Sequence, residues 1–156
     1  MRLLDIINGN LVIPELKARE KYEAISEMVD HLVMNHEIRM IDRAIVLDAV
    51  YERERSMSTG MTDGVAIPHG STNAVEDIIG VLGISRVGLP FESLDGKNTR
   101  IICLLIYPQN TFRQHVRTLA GIARLMSQED FREKLLGARS EDEIIAIIEK
   151  TEGMSA

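Results

Sequence analysis

Two apolar runs decide the fold: "IIGVLGISRV" (residues 78–87) and "IICLLIYP" (residues 101–108). Both are rich in Ile, Leu and Val and are bounded by turn residues. Neither alternates polar with apolar positions. Both are therefore expected as strands buried on two faces, which requires layers on both sides of a sheet. Between them "GLPFESLDGKNT" (88–99) reads as a loop or hairpin with Asp95-Gly96 at a turn.

Helical spacing surrounds these runs. In "LKAREKYEAISEMVDHLVMNHE" (16–37) Ile25, Met28, Val29, Leu32 and Val33 share one stripe. "DRAIVLDAVYERER" (42–55) predicts a second helix, with Asp42 as N-cap and Ala44, Leu47 and Val50 on one face. "TFRQHVRTLAGIARLM" (111–126) predicts a third, its buried stripe formed by Phe112, Val116, Leu119, Ile122, Ala123 and Met126. A short helix opens at Ser127 and Asp130 and ends near Gly137. Ser140 and Glu143 form a capping-box pattern before a last helix rich in isoleucine. Helices alternating with apolar strands give an α/β class, a central mixed sheet flanked by helices on both faces.

Composition narrows the function. The 156 residues suit a single domain, 1–156, and no repeat or linker interrupts them. The formal net charge of −6 leaves no excess of Lys and Arg to neutralise phosphates, which argues against nucleic acid as the partner. It suits a basic protein partner. The single cysteine, Cys103, cannot form an internal disulfide. The first residues lack the pattern of a signal peptide, and no apolar run approaches the roughly 20 residues of a membrane span. A cytoplasmic protein is expected.

Of the four histidines, His31 and His36 sit off the apolar stripe or near a helix end, where a cation suits the helix dipole. His69 stands in "TDGVAIPHGST" (62–72). The short strand Val65-Ala66-Ile67 leads into Pro68, which fixes one backbone angle, and Gly70 permits angles that other residues resist. His69 is thus expected in a turn at a strand end, where open α/β sheets hold ligands. Its alternative is an ordinary turn histidine. His115 lies one turn into its helix, either as a core-flanking side chain or as a donor to an anion held near the helix N-terminus. Arg53 and Arg55 close the second helix. Either could simply complement the dipole there, or bind an oxyanion bidentately. A metal site from His69 and His115 lacks a third ligand at typical spacing.

Taken together, "RERSMSTGMTDGVAIPHG" (53–70) and "RQHVRTLAGIARLM" (113–126) resemble the enzyme IIA domain of the bacterial phosphotransferase system, of the fructose–mannitol type. That group includes the nitrogen-regulatory IIA proteins. The resemblance covers essentially the whole chain. It implies a phosphocarrier with a mixed sheet flanked by helices. The family's phosphorylated histidine matches His69, its second active-site histidine His115, and its active-site arginine Arg53, through the Arg53-Glu54 pair. Phospho-HPr, or its nitrogen-branch homologue, would donate to the Nε2 atom of His69. His69 would pass the phosphoryl group to a cysteine on a IIB domain, or its phosphorylation state would select regulatory targets. The resemblance implies no metal or other cofactor. The isolated domain and its N-terminal "LLDIINGNLVIPELKAREK" lean towards the nitrogen-regulatory branch. A sugar-specific IIA component and a non-catalytic partner-binding domain are the alternatives. The surface around His69 is expected to be apolar at its centre, with Asp63 and Glu76 at an acidic rim.

Overall fold

The computed structural model describes residues 1–7 and 9–154; residues 8, 155 and 156 of the expected domain lie outside the described residues. The two apolar runs form β4 (Ile79–Leu89) and β5 (Thr99–Tyr107), an antiparallel pair with Leu82 opposite Cys103. Almost every residue of β5 is buried, so the sheet is covered on both faces. The loop between the strands turns at Gly96, whose φ of 72° suits glycine.

Shorter strands extend this hairpin on both sides. β1 (Val12–Ile13) runs parallel to β4, while β2 (Val65–Ala66) and β3 (His69–Ser71) run parallel to β5. The order is β1-β4-β5, with β2 and β3 sharing the outer side of β5. The sheet is mixed and open.

The helices form two groups. α2 (Lys21–Met34) and α3 (Arg43–Ser56) pack on each other and on β4 and β3. α1 (Leu3–Ile6), α4 (Phe112–Met126), α5 (Glu129–Gly137) and α6 (Glu141–Met154) form the other group, with α1, α5 and α6 against the sheet. The core buries the expected stripe of α2 in full: Ile25, Met28, Val29, Leu32 and Val33. His36 follows α2 with φ 63°, and the N–H of Glu37 reaches back to the Leu32 carbonyl. This is a Schellman-type stop, so His36 ends a helix.

Several local expectations need correction. Asp42 occupies the N-cap position of α3 but makes no side-chain cap; its carboxylate accepts from Arg39 Nε at 2.9 Å. The buried face of α3 is Val46, Val50 and Glu54, whereas Ala44 is exposed, because α3 packs on β3 through Val50. In α4 the C-terminal half is buried through Ile122, Leu125 and Met126, but Phe112 and Val116 are 52% and 44% exposed. In that first half Phe112 and His115 meet only the last residue of β5, Tyr107, at ring-centroid distances of 6.3 and 5.6 Å. Before α6, the Ser140 hydroxyl accepts from the Glu143 N–H, while Glu143 accepts from the Arg139 N–H rather than from Ser140.

Candidate functional site

His69 does not sit in a free turn after a strand. The chain continues past Pro68 into β3, and His69 pairs with Leu105 of β5. Pro68 removes one donor, yet its carbonyl still accepts the Leu105 N–H at 3.0 Å. The interruption splits one edge strand into β2 and β3 and leaves His69 half-buried at the start of the second.

The imidazole is held in one orientation. His69 Nδ1 lies 3.0 Å from the Ile67 carbonyl oxygen. A carbonyl only accepts, so Nδ1 carries the proton and donates. Nε2 then keeps a free lone pair. The Tyr107 ring stacks beside the imidazole, with centroids 6.3 Å apart and planes 26° from parallel. Burial pushes the His69 pKa below its ordinary value, opposed by the Ile67 hydrogen bond; Arg53 lowers it further, and Glu54 acts the other way. The ring is therefore neutral at pH 7.

Arg53 reaches this site through packing at Gly70. A β-carbon at Gly70 would crowd Val50, its backbone included, at 3.1–3.2 Å, so glycine lets α3 sit this close to β3 without displacing the helix. Arg53 follows Val50 by about one helical turn. Its Nη1 donates to the Met57 carbonyl at 2.8 Å, and its charge acts on both His69 and Tyr107. Arg55 is exposed instead, its guanidinium 5.8 Å from the Tyr51 ring.

His115 arrives from the other side. β5 ends at Tyr107, and Asn110 takes a left-handed turn with φ 67°. The Thr111 hydroxyl donates to the Pro108 carbonyl at 2.5 Å, and α4 starts at Phe112. One turn later His115 lies 5.6 Å from the Tyr107 ring, and its Nδ1 is buried with no hydrogen-bond partner. Tyr107 thus contacts both imidazoles.

A cavity of about 450 Å³ opens beside this group, lined by Glu52, Arg53, Ser56, Ser71, Tyr107 and Gln109 among others. A guanidinium, hydroxyls and an amide suit an oxyanion. Sequence reasoning missed Tyr107, Ser71 and Gln109. The missed signal was register: parallel pairing along β5 sets Ser71 opposite Tyr107.

A larger open groove of about 750 Å³ runs along α2 past Glu23, Glu27, Asp30 and His31, and includes none of the three expected residues. His31 Nε2 is 2.6 Å from the Asn10 carbonyl. Asp63 lies in the turn before β2, with φ 61°, its N–H donating to Asp95 at 2.9 Å. Glu76 lines a separate cavity with Asp5, His36 and Glu37. Neither lines the cavity beside Arg53. Glu52 is exposed and lines that cavity with Arg53, while neither His69 nor His115 is among its lining residues.

Comparison with known proteins matches the chain to one family. The fructose-specific EIIABC component of Bacillus subtilis is 31% identical over 95% of this chain, which spans only 23% of that protein's length. The crystal structure of nitrogen regulatory protein IIA-Ntr from Neisseria meningitidis is 28% identical, with a TM-score of 0.83 over 92% of this chain and 97% of that one. The complex of enzyme IIA mannitol with phosphorylated enzyme IIB mannitol from Escherichia coli shares the fold, with a TM-score of 0.77 at 19% identity over 92% and 97% of the two chains. Among the described residues no helix is long and apolar enough to cross a membrane. The model of the family "Phosphoenolpyruvate-dependent sugar phosphotransferase system, EIIA 2" matches residues 5–151, nearly the full length. The chain belongs to the type 2 EIIA family of the sugar phosphotransferase system.

Proposed function

We propose that the protein is a phosphocarrier in which His69 Nε2 accepts a phosphoryl group from a phosphohistidine of HPr or of its nitrogen-branch homologue. The observation that carries this reading is the Nδ1–H bond to the Ile67 carbonyl, which leaves a neutral ring with its Nε2 lone pair free beside Arg53. In the transfer, the donor's P–N bond breaks as the Nε2–P bond forms. The electron pair of the broken bond returns to the donor imidazole, and His69 keeps its Nδ1 proton. The reacting groups do little other covalent work, so catalysis is positioning and charge stabilisation. Arg53 stabilises the equatorial oxygens, and His115 supplies a second donor.

The donor docks over exposed Phe112 and Val116 on α4, an apolar surface beside His115 that excludes water during transfer. The whole chain is one such domain, acting in the cytoplasm. The branch favoured is nitrogen regulation, supported by the likeness to nitrogen regulatory protein IIA-Ntr at a TM-score of 0.83 and 28% identity. Phosphorylation then selects which regulatory targets it binds. Sugar uptake through a IIB cysteine is the second reading, supported by the somewhat higher identity to a fructose-specific component.

The test incubates the protein with phosphoenolpyruvate, enzyme I and HPr, and in parallel with their nitrogen-branch homologues. We expect an acid-labile, base-stable gain of one phosphoryl group, fastest with the nitrogen branch and absent in His69→Ala. Label on His69→Ala overturns the site. Faster transfer from HPr, with onward transfer to a fructose-type IIB domain, favours the second reading.

A further inference from the structure

Behind the site, two opposite charges are buried where apolar side chains would hold the helices together. Lys21 on α2 is 5% exposed and Glu54 on α3 is 2% exposed, and Lys21 Nζ lies 3.0 Å from Glu54 Oε2. Burying such a pair costs desolvation that an apolar pair of similar volume avoids. Most partners of the pair lie in one short segment; Lys21 Nζ also reaches Glu92 Oε1, in the loop between β4 and β5, at 3.4 Å. Glu54 Oε2 accepts the Thr59 N–H at 2.8 Å, and Glu54 Oε1 accepts the Thr59 hydroxyl at 2.5 Å. Lys21 donates to Ser58 Oγ at 3.3 Å, and Ser58 in turn donates to the Phe91 carbonyl at 2.6 Å.

The anchored segment leads to His69. The Thr59 carbonyl accepts the Ile67 N–H at 3.3 Å, and Gly60 bridges Ala66. Ile67 is thereby fixed on its amide side, and its carbonyl receives His69 Nδ1–H. The chain of contacts runs from Lys21 through Glu54, Thr59 and Ile67 to the imidazole.

We propose that Glu54, with Lys21 as its counter-ion, is a positioning residue for His69: it fixes the segment that registers Ile67 and so keeps the proton on Nδ1 and the Nε2 lone pair open to a phosphoryl group. The inference rests on the reading of His69 as the phosphoryl acceptor. It assigns the buried pair a role beyond joining α2 to α3. Loss of Glu54 leaves Thr59 without both side-chain acceptor bonds and lets the 58–60 segment drift from Ile67. The imidazole then samples the opposite tautomer, whose Nε2 carries a proton and cannot attack.

The test uses full-length protein labelled with ¹⁵N at histidine. In the unphosphorylated wild type, ring ¹⁵N shifts should report His69 as the Nδ1–H tautomer. Glu54→Ala should populate the Nε2–H form and lower the maximal rate of phosphoryl acceptance about tenfold, since small misplacements of reacting groups are that costly. The concentration of phospho-donor giving half-maximal rate should not change, because the docking surface is elsewhere. Glu54→Gln keeps a carbonyl oxygen for Thr59 and should recover most of the Nδ1–H tautomer. A folded Glu54→Ala with wild-type tautomer and rate overturns the proposal. Should Glu54→Ala fail to fold, Thr59→Val decides: it loses only the hydroxyl bond, and an unchanged tautomer and rate in it overturns the proposal equally. The tautomer is read without phosphate, so a wild type that accepts no phosphoryl group defeats the phosphocarrier reading and leaves this test standing.

Discussion

A β-carbon at Gly70 would lie 3.1 Å from both the backbone nitrogen and Cγ2 of Val50. The contacts to the nitrogen and to Cα are with helix backbone, which cannot swing aside as a side-chain tip would. This is what sets the spacing between α3 and β3, and with it the place of Arg53.

Gly70→Ala therefore overpacks the interface. We expect a loss of about 1–3 kcal/mol in unfolding free energy, measured by urea denaturation. The shift of α3 also moves Arg53 from the cavity, so phosphoryl acceptance should fall even in the folded fraction. Wild-type stability would show that α3 yields without cost.

His115→Ala should slow transfer far more than it unfolds the protein. The buried His115 Nδ1 has no partner to lose. Removal of one oriented donor costs roughly 2.7–4 kcal/mol of barrier in well-studied oxyanion sites. Rapid-quench transfer rates beside thermal melts check this; equal rates would return His115 to a packing role.

The titration of His69 should lie below its ordinary 6.5, chiefly because burial disfavours the charged ring. In the window between the folded midpoint and 6.5 the unfolded chain binds more protons. The contribution of His69 to stability is thus fully present above pH 6.5 and is lost as pH falls through the folded midpoint. Arg53→Gln removes a charge that lowers this pKa, so its His69 midpoint should rise. Histidine ring NMR across pH 4–8 follows both; a midpoint at or above 6.5 in the wild type contradicts the account.

Phe112→Ala and Val116→Ala should each raise the half-saturating concentration of phospho-donor while leaving the maximal rate and the melting temperature near wild type. Both side chains are largely exposed, so little core packing is lost. A change in the maximal rate alone would place docking elsewhere.

Cys103 is fully buried, and burial pushes its thiol up to about 12. A thiol reagent at pH 8 should leave the folded protein unmodified and react fully in denaturant. Prompt reaction in buffer would mean that β5 opens readily.

What could be read from the sequence follows from length and period. β4 and β5, α2, and the helices from α4 onward carry runs long enough for apolar spacing to show. α1, β1 and β3 span two to four residues, too few for any period, so the β1 side of the sheet and the continuation past Pro68 were invisible, whereas β2 was legible as the short strand Val65-Ala66-Ile67. The stripe on α4 was visible, but its meaning was not: Phe112 and Val116 hold helical spacing whether they face a core or solvent. "VAIPH" drew attention to His69, yet no local pattern links Lys21 to Glu54, 33 positions apart, or shows that a glutamate beside Arg53 is buried.

The break at Pro68 has a consequence for solubility. A continuous five- to seven-residue edge beside β5 would offer another chain a row of unpaired amides for strand addition. Here that edge is cut into two residues and three, joined by Ile67, whose N–H is taken by the Thr59 carbonyl, and Pro68, which has none, and α3 presses on the second piece at Gly70. The opposite edge, β1, is two residues long. The kink that sets His69 in place thus also denies a template to intermolecular sheet growth and guards this edge against aggregation of the protein with its own copies.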